Sequence, residues 1–167
     1  FGSVPSAGPR SGVIRDVNGN LYGTTADVVY ELMPPTNHKK WTYKTIYTFC
    51  PDGDCSAGER PNGQLSYAGA AQGLPYDGVS PLYGAAQYGG SGGGHGVVYQ
   101  VVPNGDHWTQ SVLYAFCQES GCADGAAPGG VFVAGDGSIY GAANDGGNDV
   151  LNSCMGGCGV LFHLTSK

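Results

Sequence analysis

The chain carries few charged side chains. Asp, Glu, Lys and Arg make up 12% of its 167 residues, with seven basic residues against thirteen acidic ones and a formal net charge of −6. A nucleic-acid-binding surface needs clustered Lys and Arg that neutralise phosphates. Seven scattered basic residues do not provide one, so we expect no nucleic-acid partner.

Long apolar runs and helical periodicity are also missing. No segment approaches the roughly 20 consecutive apolar residues of a membrane-spanning helix, so we expect no membrane span. No stretch repeats apolar residues at the three- and four-residue spacing of an amphipathic helix. Because 31 glycines supply the conformations that turns need, the sequence predicts an all-β protein with essentially no helix.

Catalytic motifs are absent as well. The chain contains no Gly-x-Ser-x-Gly elbow, His-Glu-x-x-His pair or P-loop. Asp52 and Asp54 fall in a small loop, where solvated carboxylates are commoner than an acid/base pair. The turn at residues 16–20 lacks the downstream Glu of a calcium loop. We therefore predict no enzyme activity, no cofactor and no metal site.

The six cysteines form three close pairs. These pairs are Cys50/Cys55, Cys117/Cys122 and Cys154/Cys158. An even number of cysteines in a Gly-rich chain of low charge is typical of disulfides in an oxidising compartment. A zinc site or free redox thiols fit the spacing less well. We predict three local disulfides and, since the chain starts at Phe1 without a signal peptide, a mature secreted or cell-surface protein.

The chain repeats one pattern three times, at a period of about sixty residues that marks a repeat architecture. The repeated Tyr-Gly elements are Leu21-Tyr22-Gly23, Leu82-Tyr83-Gly84 and Ile139-Tyr140-Gly141, and apolar runs follow at Val28, Val97 and Val160. Each repeat divides into four candidate strands, a to d, of which the Tyr-Gly element is b and the apolar run is c. We predict a single all-β domain over residues 1–167, with three four-stranded repeats at approximately 10–60, 61–127 and 128–167.

Residues 13–25, 96–101 and 111–116 carry a family resemblance. Their pattern resembles the GloVer-type tandem repeat of exported bacterial β-propeller-like proteins. The resemblance implies an exported, propeller-like β-repeat protein. Propellers usually close with about four to eight blades, more than three repeats provide, so a β-trefoil-like fold is kept as the alternative.

The repeat phasing predicts an open sheet edge. Phe1 aligns with Phe49 and Phe116 at the ends of the two strands d, and the third repeat stops after strand c. The expected assembly edge consists of the N-terminal residues Phe1 and Val4 and the third strand c, Val160, Leu161, Phe162, His163 and Leu164. Open apolar edges pair readily with other chains. The leading hypothesis is therefore an exported structural protein that self-associates into a homo-oligomer or filament.

A secreted carbohydrate-binding module is the alternative function, with glycans as partners. The loops between strands b and c differ most between repeats, and recognition concentrates in variable loops on a rigid scaffold. The candidate ligand residues in these loops are His95, Asn144, Asp145 and Asn148. The repeated tyrosines could form a sugar-binding surface or pack in the core, and a hydrolase with unidentified carboxylates is a third possibility.

Overall fold

The structure is a computed structural model that describes residues 8–36, 40–91, 93–148 and 156–165. Within these ranges the chain forms eleven strands in three antiparallel sheets. Sheet 1 contains β1 (Ile14–Arg15), β2 (Leu21–Thr24), β3 (Val28–Met33) and β4 (Thr42–Thr48). Sheet 2 contains β5 (Glu59–Tyr67), β6 (Leu82–Tyr88), β7 (Val97–Asn104) and β8 (His107–Ala115). Sheet 3 contains β9 (Ala126–Val133), β10 (Ile139–Asp145) and β11 (Val160–Leu164).

The predicted all-β class is confirmed, and each sheet is a meander whose strand order follows the chain. The helical segments of the described residues are three 3-10 turns, Pro51–Gly53, Ala70–Gln72 and Ser120–Cys122. None of the described helical segments has the length and hydropathy needed to cross a bilayer. No closed barrel, which a β-trefoil would need, is found in the described part of the chain.

The prediction of four strands per repeat holds for two of the three repeats. Sheets 1 and 2 have four strands, whereas sheet 3 has three in the described residues. The first strands of sheets 2 and 3 begin at Glu59 and Ala126. Both starts lie shortly before the repeat boundaries expected from the sequence.

The Tyr-Gly signature has a steric cause. Gly23, Gly84 and Gly141 lie directly opposite an aromatic residue of the next strand, respectively Tyr30, Tyr99 and Phe162. The aromatic ring lies over the glycine, and a Cβ at any of the three positions would collide with it. Each glycine therefore makes room for the ring that the following strand c contributes.

Consecutive sheets pack on one another through their apolar faces. We call the side that carries the Tyr of the Tyr-Gly element the front face, and the opposite side the back face, because successive strand residues point to opposite sides. The front face of sheet 1 packs on the back face of sheet 2, and a buried cluster lies between them that includes Tyr22, Val29, Phe49, Leu82, Val97 and Tyr99. A second cluster joins the front face of sheet 2 to the back face of sheet 3, through Val98, Phe116, Val133, Ile139 and Ala143.

The insertion at residues 69–80 contributes to the first of these clusters. Tyr76 is fully buried, and its ring centroid lies 5.1 Å from that of Tyr22 and 5.2 Å from that of Tyr67. Its hydroxyl donates a hydrogen bond to the Ser80 carbonyl at 2.6 Å. Insertions in repeat proteins commonly form surface loops, but the tyrosine of this insertion fills the interface between two sheets.

Two of the three predicted disulfides are confirmed, Cys50–Cys55 and Cys117–Cys122. Cys158 is also disulfide-bonded, and its predicted partner Cys154 lies outside the described residues. Each confirmed disulfide joins two cysteines that are five residues apart and follow the last strand of a sheet. In the chain-entropy model a loop this short is worth about 2 kcal/mol of stability.

The disulfide loops connect one sheet to the next. The Cys55 carbonyl accepts hydrogen bonds from the N–H groups of Gly58 and Gly90, at 3.0 and 2.9 Å. The Cys122 carbonyl accepts the equivalent pair of bonds, at 2.8 and 2.9 Å. The cross-linked loops therefore fix the path of the chain from strand d into the following sheet.

Gly84→Ala tests the steric reading of the Tyr-Gly signature. We expect it to lower the free energy of unfolding by about 1–3 kcal/mol, because the new methyl group must displace the buried ring of Tyr99. The control is Gly12→Ala, whose Cβ would lie 3.5 Å from the Gln64 side chain, an ordinary contact. Urea denaturation measures both variants, and equal effects would contradict the interpretation.

Candidate functional site

The front face of sheet 3 is exposed where its counterparts are buried. At the second position of strand c, Val29 and Val98 are 0% exposed, whereas Leu161 is 90% exposed. At the tyrosine of the Tyr-Gly element, Tyr22 is 2% exposed and Tyr140 is 43% exposed. Val29 lies in the cluster against sheet 2 and Val98 in the cluster against sheet 3. No further sheet follows sheet 3 in the described residues, so the same sequence pattern faces solvent there.

This front face is defined by five residues, Phe132, Tyr140, Ala142, Leu161 and His163, which alternate along the three strands and are all exposed. The Tyr140 and His163 rings are stacked, with centroids 4.4 Å apart and planes 4° apart. In sheet 1 the equivalent tyrosine, Tyr22, instead donates a hydrogen bond to Glu31 at 2.9 Å, and burial raises its pKa.

The predicted assembly edge corresponds to β11. This strand pairs with β10 on one side, and within the described residues no strand pairs with its other side. The equivalent strands β3 and β7 pair on that other side with β4 and β8. Phe1 and Val4, the N-terminal part of the predicted edge, lie outside the described residues.

Two cavities flank β11. One has a volume of about 570 Å³ and is lined by residues that include Tyr83, Gln100, Leu113 and His163. The other has about 420 Å³ and follows β11 itself, facing Tyr114, Glu119 and Asp124. Both are lined by Tyr114, His163 and Leu164, so they adjoin. We call the two cavities together the edge groove.

The corresponding space between sheets 1 and 2 is filled. Tyr22, the counterpart of Tyr83, lies 6.2 Å from Trp108 between ring centroids, and Tyr76 covers it from the other side at 5.1 Å. Trp108 belongs to β8, the fourth strand of sheet 2. The edge groove therefore lies where a fourth strand of sheet 3 would run.

One wall of the groove is held by a carboxylate. Asp124 accepts hydrogen bonds from the Tyr114 hydroxyl at 2.7 Å and from the N–H groups of Gln118 and Glu119 at 3.0 and 3.2 Å. Burial alone would raise the pKa of Asp124, but these hydrogen bonds bring it below its usual value. Burial, together with the bond to Asp124, raises the pKa of Tyr114 to about 12.

A separate cleft of about 550 Å³ lies beside the first disulfide loop. Its lining includes Tyr88, which is 38% exposed, and Arg60, whose guanidinium lies 5.3 Å from the Tyr88 ring centroid. Glu59 contacts Arg60 at 3.7 Å. We call this the Tyr88 cleft. Sequence reasoning missed it because its charged pair and its aromatic ring are distant in the chain.

The side chains of the Tyr88 cleft are specific to the second repeat. At the equivalent positions of sheet 3 the chain has Ala126, Ala127 and Asp145. The unusual positive φ of Arg60, 54°, recurs at Ala127 with 53°, and a proline follows both residues. The backbone conformation is therefore shared by the second and third repeats. The aromatic ring and its charged neighbours occur only in the second of these two.

The four predicted ligand residues line none of these three cavities, although Gly89, Gly90 and Gly94 of the loop that carries His95 line the Tyr88 cleft. Asn144, Asp145 and Asn148 are exposed at the end of β10 and just beyond it. The His95 ring lies within 4.8 Å of the sulfur atoms of the Cys117–Cys122 disulfide. Neither this group nor the group of Cys50, Cys55 and Glu59 offers thiolates to a metal, since their sulfur atoms are tied in disulfides.

No family model, curated protein or solved structure matches this chain.

Asp124→Asn tests the carboxylate that holds the groove wall. A folded-state pKa below the unfolded value of 3.8 means that Asp124 stabilises the fold in full above that value. This stabilisation is lost as the pH falls through the folded-state pKa. We expect the variant to be less stable than the wild type at pH 7 and the difference to shrink below about pH 4.

Denaturation curves between pH 2 and pH 7 measure this difference. Asp106→Asn, in the exposed turn between β7 and β8, is the matched control for loss of one carboxylate. A gap between wild type and Asp124→Asn that stays constant down to pH 2 would show that the charge of Asp124 is not responsible.

Proposed function

We propose that the chain is an exported structural protein, a propeller-like β-repeat subunit that self-associates into an extracellular oligomer or filament. The observation that carries this proposal is the exposed front face of sheet 3, whose counterparts on sheets 1 and 2 are covered by another sheet. Large exposed apolar patches on a folded domain mark interaction surfaces. Burying one side chain such as Leu161 is worth about 1.5–3 kcal/mol.

The packing order supports a propeller-like body. The sheets are consecutive meanders stacked front to back, so a further sheet on sheet 3 would continue the existing order. Three sheets are fewer than the about four to eight blades of closed propellers. A second copy packed on the front face of sheet 3 would add further sheets in the same order, which is the physical argument for a homo-oligomer.

Covalent structure and charge support an extracellular location. Local disulfides such as Cys50–Cys55 and Cys117–Cys122 persist in oxidising compartments. The low charge content reduces the number of ionic groups that would have to be desolvated when subunits pack together.

Aspartate substitutions on the front face test self-association. We expect the wild-type chain to form oligomers in sedimentation velocity, and Leu161→Asp and Phe132→Asp each to weaken association at least tenfold by placing a charge in the interface. The matched control is Val79→Asp, because Val79 is 70% exposed but lies in the insertion of the second repeat. A wild-type chain that stays monomeric at high concentration would remove the proposal.

The second candidate function is carbohydrate binding at the Tyr88 cleft. The specific observation is a half-exposed tyrosine ring with a guanidinium and a carboxylate beside it, in a cleft of about 550 Å³. Such a cleft offers an apolar ring face with a few convergent polar groups, the general composition of a small-molecule site.

A glycan array tests this second function. We expect Tyr88→Ala to abolish any glycan signal of the wild-type chain, because the ring supplies the stacking surface, and Tyr88→Phe to retain it. Tyr43→Ala, on sheet 1, controls for loss of a tyrosine elsewhere. An array without signal for the wild-type chain, or a signal that Tyr88→Ala leaves intact, would exclude the cleft as a glycan site.

A further inference from the structure

We propose that the edge groove binds an extended peptide segment that has the sequence pattern of β4 and β8, adding it to sheet 3 as a fourth strand. The inference rests on the proposed function in using the same open sheet, and it names the occupant of the edge. The pattern begins with Trp-Thr and continues to an aliphatic residue, a tyrosine and a phenylalanine, as at residues 41–49 and 108–116.

Backbone pairing in the other two sheets supports strand addition at β11. In sheet 2, β7 pairs along its outer edge with β8, and the facing residues include Val97 with Ala115 and Val101 with Gln110. In sheet 1, β3 pairs in the same way with β4. The outer edge of β11 presents the equivalent row of N–H and C=O groups, and strand addition at such an edge is a common mode of peptide recognition.

The cavity beside Tyr83 has room for the tryptophan of the pattern. The tryptophan at the start of β8 packs on Tyr22, the counterpart of Tyr83 in the preceding sheet. A strand added to β11 in the register of β8 would bring its tryptophan to Tyr83 in the same way. The cavity there, about 570 Å³, falls within the size range of small-molecule pockets and so accommodates one indole ring.

The exposed side chain of Leu161 offers a contact for the tyrosine of the pattern. Its counterparts Val29 and Val98 lie directly opposite Tyr47 of β4 and Tyr114 of β8. The tyrosine of an added strand would therefore lie against Leu161, which is 90% exposed in the chain alone.

A β-bulge makes the pattern specific. The register shifts by one residue between Val98 and Tyr99, where Leu113 is the extra residue of β8, and it shifts at the same place in sheet 1. A bulge turns the residues on its two sides toward opposite faces of the sheet. For this reason the tryptophan of the pattern reaches the back-face cavity while its tyrosine covers the front face.

The strands β4 and β8 of a folded second copy are not available to fill the groove. β4 and β8 of any folded copy are paired along their length with β3 and β7, and Trp108 is packed in the first core cluster. Their removal would dismantle two sheets. A free segment of the same pattern has no such cost, so it is the occupant that the groove fits.

Peptide binding tests the proposal. A fluorescein-labelled peptide with the sequence of residues 107–116 is titrated with the intact protein, and hydrogen exchange of the amides of β11 is followed by NMR. We expect saturable one-to-one binding and slower exchange of the amides from Val160 to Leu164. A peptide with Trp108→Ala, and one that lacks Leu113 and therefore the bulge, should each bind at least tenfold more weakly.

Protein variants locate the site. Leu113→Trp places an indole ring in the lining of the cavity and should weaken peptide binding at least tenfold. Val112→Trp is the matched control, because Val112 is equally exposed at 39% but does not line the cavity. Thermal denaturation monitored by circular dichroism verifies that both variants are folded.

The outcomes separate this inference from self-association. Phe132→Asp changes the front face at β9, the far edge of sheet 3 from β11, and peptide binding to this variant should match the wild type. Peptide binding by a wild-type chain that remains monomeric would support the inference and remove the proposed function. Self-association that depends on Phe132, without peptide binding, would support the proposed function and overturn this inference. Equal binding of the three peptides, or exchange protection outside β11, would overturn the inference.

Discussion

Front-to-back packing of consecutive sheets is the interaction on which the rest of this structure depends. Every sheet has apolar residues on both faces, and burying such a face against a neighbouring sheet stabilises the fold. The first cluster joins sheets 1 and 2, and the second joins sheets 2 and 3. The front face of sheet 3 has no such neighbour in the described residues, and this is why Phe132, Tyr140 and Leu161 are exposed.

The glycines of the repeat and the disulfide loops both contribute to this packing. The glycine of each Tyr-Gly element makes room on its sheet for an aromatic ring of the next strand, and in sheet 2 this ring, Tyr99, lies in the first cluster. Gly58 and Gly125 make room for valine side chains where the chain enters sheets 2 and 3, because a Cβ there would collide with Val97 and Val160. Each disulfide loop connects one sheet to the next, and its second cysteine, Cys55 or Cys122, has a carbonyl that accepts hydrogen bonds from two N–H groups.

The candidate surfaces differ in how they arise. The edge groove is a consequence of the repeat, since it marks the place of a fourth strand that sheets 1 and 2 have and that sheet 3 lacks in the described residues. The Tyr88 cleft is a departure from the repeat, since Glu59, Arg60 and Tyr88 replace the residues that sheet 3 has there. The edge groove is therefore suited to a strand with the sequence pattern of the repeat. The Tyr88 cleft is suited to a different kind of ligand, such as a carbohydrate.

Much of the fold could be predicted from the sequence because its signals are local. Alternating apolar strands, Gly-rich turns and cysteine pairs close in the chain predicted the three sheets and the two confirmed disulfides. The repeat phasing also predicted that the third sheet lacks strand d. The burial of Tyr76 was missed, because its neighbours Tyr22 and Tyr67 contact it only after two sheets have packed.

The sequence by itself determined the strands, their order and the residue types on each face. It did not determine which faces are covered, because Val29, Val98 and Leu161 occupy the same position of nearly identical runs and differ only in what lies beyond them. The cavities beside β11 and the Tyr88 cleft likewise required the tertiary structure. Their walls come from different repeats, and contacts between distant segments leave no periodic trace in the sequence of either one.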